Sequence, residues 1–344
     1  MEFNIAFIGF GVVGQGLAEI LLEQENELKE NHNFEYKIVA ISDTMKGSVY
    51  DENGLDIKKL LDLVNSTGKI EEYPGGIKGW DSLKTITDTN SNIILELAWT
   101  DLKTGEPAIT HVKTALKNRK HVVMTNKGPI ALMVRKLLDI AKENGVEMRY
   151  EGTVLSGTPA LNLGLYNLAG AGITKAKGIV NGTTNYILTE MEKGLGYDEA
   201  LEQAKELGYA EQDPTADVEG YDALGKIVIL ANTVMGANLS KDEPPCEGIT
   251  KITSEDIKKA KEEGYRWKLI AGAEIKEDGS VEAYVKPEKI PLDHPLASIM
   301  GPINALTYTT KYLGDVTIVG PGAGKLPTGY SVLTDILDIN RLFK

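Results

Sequence analysis

Through the first third of the chain, short apolar runs alternate with longer stretches whose apolar positions recur every three to four residues. That exchange of strand-like and helix-like periods predicts a parallel sheet with crossover helices. Strands are expected at residues 5–9, 37–42, 93–98 and 122–125, with helices at 12–30, 56–63 and 106–118. The segment 47–79, rich in charge and glycine, reads as an irregular excursion. A helix at 130–144 and a strand at 146–151 follow.

Beyond Gly152 the pattern changes. A glycine-rich turn precedes a helix at 159–168, a strand at 177–181, helices at 184–193 and 197–207, and a long helix at 218–235. Residues 241–263 are charged and carry Pro244 and Pro245, which suits a surface connection with one short helix. Alternation at 266–275 and 281–286, joined by Glu277-Asp278-Gly279-Ser280, predicts a hairpin. Strands near 305–310 and 316–319 would complete an antiparallel sheet, and a last helix is expected at 329–342. The fold class is therefore α/β: an N-terminal Rossmann domain with a doubly wound parallel sheet, followed by an α+β domain. The expected divisions are 1–130, 131–315 and 316–344.

The chain has 344 residues and a formal charge of −13, a balance that argues against nucleic acid as a partner, since that binding needs clustered Lys and Arg. No apolar run reaches the roughly 18 residues of a membrane span, and the N-terminus enters a strand without the features of a signal peptide. A cytoplasmic protein with no membrane partner is expected. Cys246 is the single cysteine, so neither an internal disulfide nor a multi-thiolate metal site is available. His32, His111, His121 and His294 show no metal-binding spacing and read as surface or packing residues.

Gly9-Phe10-Gly11-Val12-Val13-Gly14 is a GxGxxG loop directly between an apolar strand and a helix. Gly9 would permit the turn, Gly11 the approach of a pyrophosphate, and Gly14 close helix packing, with the phosphates on the helix N-terminus. Asp43 ends the second strand, where a carboxylate takes the adenosine ribose and favours NAD. Lys46, three residues on, either neutralises the 2′-phosphate of NADP or is a surface lysine. Lys127, in Thr125-Asn126-Lys127-Gly128-Pro129, follows another strand at the end where ligands gather. Glu151 precedes Gly152-Thr153-Val154-Leu155-Ser156-Gly157-Thr158-Pro159, a turn that either offers carbonyls to a monovalent cation or serves only as a helix-leading loop.

Residues 208–217 carry Glu211, Asp213 and Asp217 ahead of a helix, an arrangement also suited to simple helix capping. Within that helix Lys226 stands amid Ala223, Leu224, Ile227, Val228, Ile229 and Leu230. An ammonium there must be paired or line a cleft, and Asp222 lies one turn earlier on the same face.

These residues resemble the homoserine dehydrogenase family, in its short monofunctional form. The likeness runs in order through GFGVVG, TNKGP, YEGTVLSGTP, NGTTNYIL, LGYAEQDPTADVEGYDALGK and GYSVLTDI, nearly the whole chain. It implies NAD(P)-dependent reduction of L-aspartate 4-semialdehyde to L-homoserine, a step of threonine, methionine and isoleucine biosynthesis. It also implies a homodimer, and a catalytic and dimerisation domain with a mixed sheet whose chain end returns to the Rossmann domain. Catalytic roles then fall to Lys226, Asp222 and Lys127, with the division between the lysines open. Substrate contacts fall to Glu211, Asp217, Thr183, Tyr209 and Gly208. Cofactor contacts fall to residues Gly9, Phe10, Gly11, Val12, Val13 and Gly14, with Asp43, Lys46, Ala98, Lys127 and Gly329. Carbonyls of Glu151, Val154, Ser156 and Thr158 match the family's Na⁺ or K⁺ loop. This chain departs from the family at Leu97-Ala98-Trp99, where many members carry a threonine beside the nicotinamide, and lacks an arginine after Asp43.

Two other classes fit these residues less well. A phosphorylating aldehyde dehydrogenase needs a nucleophilic cysteine, and Cys246 lies in the charged segment DEPPCEG. A dinucleotide-binding redox sensor without turnover leaves Lys226 and Asp222 unexplained.

Overall fold

The computed structural model describes residues 2–101 and 103–343. They divide into two compact units, Met1–Gly157 with Gly324–Lys344, and Thr158–Ala323.

In the first unit β1 (Glu2–Ile8), β2 (Glu35–Asp43), β3 (Gly47–Tyr50), β4 (Ile77–Lys78), β5 (Ile93–Glu96), β6 (His121–Met124) and β7 (Met148–Arg149) form one sheet. Its order is β4-β3-β2-β1-β5-β6-β7. Pairing is parallel from β2 to β7, while β3 and β4 add an antiparallel edge. Ile5, Phe7, Ile93, Ile94, Leu95, Val122 and Val123 are fully buried, which explains the unbroken apolar runs of strands covered on both faces. The chain leaves β1 toward β2 on one side and returns on the other at β5, and Ile8 pairs with Glu96. A ligand crevice opens at such a switch point, beyond the carboxyl ends of the strands.

The last helix, Lys325–Leu342, belongs to this unit and crosses the helix Val12–Glu23 at two glycines. A Cβ on Gly329 would lie 2.6 Å from the Leu17 nitrogen, and one on Gly16 would collide with the Lys325 carbonyl. The crossing is closed further by a 2.6 Å ion pair from Lys325 to Glu19.

The second unit holds β8 (Ile173–Ile179), β9 (Tyr265–Ile275), β10 (Val281–Pro291), β11 (Ile303–Thr310) and β12 (Gly314–Pro321), in the order β10-β9-β8-β11-β12. Every pairing is antiparallel. The mixed sheet expected here is instead that of the first unit. Helix Tyr221–Val234 packs on β9 and β10, burying Leu224, Ile227, Val228, Ile229 and Leu230. Each such side chain contributes about 1.5–3 kcal/mol on burial.

Several expectations change. The boundaries near 130 and 315 move to 157/158 and 323/324, because helix Lys127–Asn144 and β7 continue the first sheet. The segment 47–79 is ordered: Asp43 pairs with Gly47 across a tight turn, and Asp56 caps helix Ile57–Thr67 by accepting the Lys59 N–H at 3.0 Å. A further helix, Ser82–Asp88, starts at the cap residue Asp81. The helix expected at 12–30 divides at Gln24 into Val12–Glu23 and Glu25–His32. That at 218–235 divides at Gly220, whose φ of +85° ends one helix and starts the next, giving Thr215–Val218 and Tyr221–Val234. The helix at 159–168 becomes a turn, Ala160–Asn162, and a π segment, Leu163–Asn167. Among the described residues no helix is long and apolar enough to cross a membrane.

Candidate active site

In the first unit, Gly9 sits at φ +92°, and a Cβ there would lie 2.7 Å from the Ala98 nitrogen and the Leu97 oxygen. Only glycine therefore lets the loop turn between β1 and β5. Gly14 brings the helix close, its Cβ position being 3.1 Å from the Gly9 oxygen, whereas nothing lies within 4 Å of that at Gly11. Helix Val12–Glu23 starts at Gly11 with no side-chain cap and no acid in its first turn. The positive dipole end of this helix, uncapped by a side chain, is a cradle that fits a pyrophosphate. Phe10 packs edge-on against Phe7 in the core, while Val12 projects outward, 64% exposed.

Asp43 stands at the end of β2 and is tied to this loop. Its Oδ2 accepts the Phe10 N–H at 2.7 Å, and its Oδ1 accepts those of Met45 and Lys46, each at 2.9 Å. Burial disfavours the charge, but these donors and the Lys46 ammonium outweigh it and hold the carboxyl below its ordinary range. The acid read as a ribose ligand thus also fastens the glycine loop. Lys46 is half-buried beside it.

At the end of β5, Glu96 is fully buried. Its Oε1 accepts the Ala98 N–H and the Asn126 amide, both at 3.0 Å, and its Oε2 meets His111 Nδ1 at 2.7 Å. Asn126 precedes helix Lys127–Asn144, so half-buried Lys127 is the first helical residue, three positions before the start expected. Trp99, next to Ala98, is 80% exposed. Gly329 has a packing role at the helix crossing described above.

The loop 151–157 carries two consecutive non-glycine residues in the left-handed region, Leu155 at φ +54° and Ser156 at φ +55°. Such strain persists only where surroundings impose it. Ser156 Oγ meets Thr328 Oγ1 at 2.8 Å, and the Glu151 N–H donates to Asp335 Oδ2 at 2.9 Å. Complete burial, then the neighbouring Glu151, pushes the Asp335 carboxyl well above the usual range. Val154 is buried, and Thr158 Oγ1 donates to the Pro321 oxygen at 2.9 Å.

In the second unit Lys226 is 7% exposed, and its Nζ donates to Asp222 Oδ2 at 2.6 Å and to the Val180 oxygen at 2.7 Å. Asn181 joins the acids: its Nδ2 donates to Asp217 Oδ1 at 2.7 Å and to Asp222 Oδ2 at 3.0 Å. Its Oδ1 caps helix Gly182–Lys193 by accepting the Thr184 N–H at 2.9 Å. Thr183 Oγ1 donates to the Tyr209 oxygen at 2.5 Å, and the Tyr209 ring packs on Tyr186 at 5.0 Å. Gly208 takes φ +74° in the turn before Tyr209.

Lys226, Asp222 and Asp217 are thus one cluster, with Thr183 bonded to Tyr209 beside it in sequence. Glu211 is exposed. Sequence reasoning missed Asn181, Glu96 and His111. An Asn before Gly-Thr-Thr at a helix start signals a cap, but not its second task. Cys246 is half-buried, donates to the Glu219 oxygen at 3.4 Å, and has its thiol pKa raised by burial, unlike an activated nucleophile.

A family model for homoserine dehydrogenase matches residues 159–337, and one for glutamate/leucine/phenylalanine/valine dehydrogenase matches residues 3–102. An NAD(+)-dependent homoserine dehydrogenase of Pseudomonas canavaninivorans is 45% identical over 340 residues, covering 99% of this chain and 97% of that one. The chain belongs to the homoserine dehydrogenase family. The homoserine dehydrogenase of Methanocaldococcus jannaschii is 42% identical over 98% of both chains. A hyperthermophilic archaeal homoserine dehydrogenase, solved in complex with NADPH, is similar at TM-score 0.85 and 31% identity, with 100% of this chain and 99% of that one covered. Each of these three relatives is matched over at least 98% of this chain.

Proposed function

We propose that the protein is a homoserine dehydrogenase interconverting L-homoserine and L-aspartate 4-semialdehyde with NAD(P), in the route to threonine, methionine and isoleucine. The observation that carries this reading is the buried Lys226 ammonium, held by Asp222 and the Val180 carbonyl inside a cluster that also contains Asn181 and Asp217. Stability alone is a weak reason for a buried ion pair, because desolvation offsets much of its Coulombic gain.

Gly9, Phe10, Gly11, Val12, Val13 and Gly14 hold the pyrophosphate, with Ala98 and Lys127 on the nicotinamide side and Gly329 supporting the loop's helix. When bound, the nicotinamide exchanges a hydride with the substrate carbon. In the reducing direction negative charge develops on the substrate oxygen, and Lys226 stabilises it and donates a proton to it. Asp222 keeps the ammonium in place. Glu211 and Asp217 receive the substrate ammonium, Lys127 its carboxylate, while Thr183, Tyr209 and Gly208 shape the pocket. Asp43 favours NAD through the ribose, and Lys46 offers a partner for the 2′-phosphate of NADP.

The carbonyls of Glu151, Val154, Ser156 and Thr158 hold Na⁺ or K⁺ in this reading. The Glu151 and Thr158 carbonyls accept the N–H groups of Val154 and Ala160, which fixes the course of the turn. Turnover or melting temperature should then respond when Na⁺ or K⁺ is replaced by a bulky organic cation at constant ionic strength. The enzyme works as a cytoplasmic homodimer, which sedimentation checks. The direct test is NAD(P)H formation from L-homoserine by the purified protein, and no turnover with either cofactor would refute the reading.

A further inference from the structure

Glu96 is a buried carboxyl that the proposed chemistry leaves without a task. An apolar residue at the end of a central strand would fold at lower cost, since a buried polar group is tolerated only when its hydrogen bonds are satisfied. The bonds of Glu96 have a specific geography. Oε1 receives the backbone N–H of Ala98, at the carboxyl end of β5, and the side-chain amide of Asn126, at the carboxyl end of β6. Oε2 is anchored by His111 Nδ1, from helix Ala108–Lys117 behind the sheet, itself only 6% exposed. Both donors to Oε1 lack any acceptor capacity, so Oε1 serves them whichever atom of the Glu96 and His111 pair carries the proton. One oxygen atom therefore fixes the distance between the segment at Ala98 and the residue directly preceding Lys127.

We propose that Glu96 is a positioning residue that locks the Ala98 segment and the start of the Lys127 helix together, with His111 as its anchor. This rests on the homoserine dehydrogenase reading, which puts Ala98 and Lys127 on the nicotinamide side of the first unit. Misplacement of a positioned group by about 1 Å costs up to 10²-fold in rate. The pyrophosphate loop is tied separately, by Asp43 to Phe10, so dinucleotide binding should survive the loss of Glu96.

The test uses full-length Glu96→Ala, Glu96→Gln and Asn126→Ala with hydrogen exchange, dinucleotide binding followed by tryptophan fluorescence, and steady-state kinetics. In Glu96→Ala, amide protection around 97–99 and 125–128 should fall together. kcat should fall about 10²-fold, while KM and Kd for the dinucleotide stay within about threefold. Glu96→Gln keeps an acceptor oxygen and should retain at least about a third of kcat and both protections. Asn126→Ala, which releases one tie and covers the case of an unfolded Glu96→Ala, should lose about five- to tenfold in kcat with a melting temperature only a few degrees lower. The proposal is overturned if the two segments lose protection independently, if Glu96→Gln is as impaired as Glu96→Ala, or if the whole loss falls on Kd. A wild-type protein inactive toward L-homoserine would refute the functional reading alone, and hydrogen exchange would still decide the clamp.

Discussion

Replacing Lys226 by Met tests the centre of the proposed mechanism. Methionine keeps most of the buried apolar stem and removes the ammonium. The structure gives that ammonium two bonds, 2.6 Å to Asp222 Oδ2 and 2.7 Å to the Val180 oxygen. Asp222 retains the Asn181 amide at 3.0 Å, so the main uncompensated loss is the Val180 carbonyl, about 1–3 kcal/mol if left without a donor. Relief of a desolvated charge offsets part of this, so the folded protein should persist with a lower melting temperature. Turnover should respond more strongly. A positioned group that stabilises developing charge contributes about 2.7–4 kcal/mol to the transition state, which is a loss of 10²–10³-fold in kcat. Because the interaction strengthens in the transition state, KM for homoserine should change less than kcat. The assay is NAD(P)H formation from L-homoserine, with dinucleotide binding measured in parallel and unchanged. Lys226→Arg should not restore the rate, since a planar guanidinium cannot take the place of a compact ammonium in this cluster. A folded Lys226→Met protein turning over within about threefold of wild type would refute the assignment and move the role to Lys127.

The remaining expectations concern the groups around these sites. Asn181→Asp keeps the acceptor that caps Thr184 but replaces a donor to Asp217 and Asp222 with a third carboxyl, so it should be less active than Asn181→Ala, and the reverse order in homoserine kinetics would refute the hub. Asp43→Ala removes the partner of the Phe10 N–H together with the ribose carboxylate and should weaken NADH binding more than NADPH binding, whereas Asp43→Asn keeps an acceptor for Phe10 and should shift preference toward NADPH with a smaller overall loss; titration with both cofactors decides, and equal losses in Asp43→Ala would refute the ribose role. Lys268, 1% exposed, has its pKa pushed down to about 7 by burial and then by Arg266. The unfolded chain binds more protons than the folded one between about pH 7 and its ordinary value, so stability should rise with pH across that window. Chemical denaturation from pH 7 to 10 should show a slope that Lys268→Met reduces.

What the sequence revealed was local. The glycine loop was legible because strand, turn and helix lie within a few residues, and each glycine has a steric reason readable from that order. The bond from Asp43 to the loop was not, because its partner Phe10 is 33 residues away and the bond exists only once β1 and β2 pair. Asn181 lies inside a motif that was read, yet its acids are 36 and 41 residues further on, and only Thr183 was singled out. The excursion at 47–79 hid two short edge strands, β3 and β4, because short strands at a sheet edge carry little apolar pattern. Lys268 misleads in the opposite direction: alternation along β9 assigns a lysine outward, but tertiary structure buries it against Asn185 and the Ile299 carbonyl. Periodicity reports which face is usually apolar, and it cannot see a polar group satisfied from elsewhere.

Glu96 and Asn181 illustrate how such groups differ from ordinary core residues. Each is nearly or fully buried, and each has a side chain able to bond several partners from separate elements at once. A leucine in either place would hold the same elements together by area alone, with a shallow dependence on their separation. A shared hydrogen-bond atom does not tolerate such freedom, because N–H···O bonds weaken outside a few tenths of an ångström and buried groups left unpaired cost about 1–3 kcal/mol each. The penalty for displacement is therefore steep where the proposed chemistry needs fixed geometry, at Ala98 and Asn126 in one unit and at Asp217 and Asp222 in the other. On that argument, substitutions of the two hubs should impair turnover out of proportion to stability, whereas truncations of neighbouring apolar residues such as Leu95 or Ile227 should do the opposite.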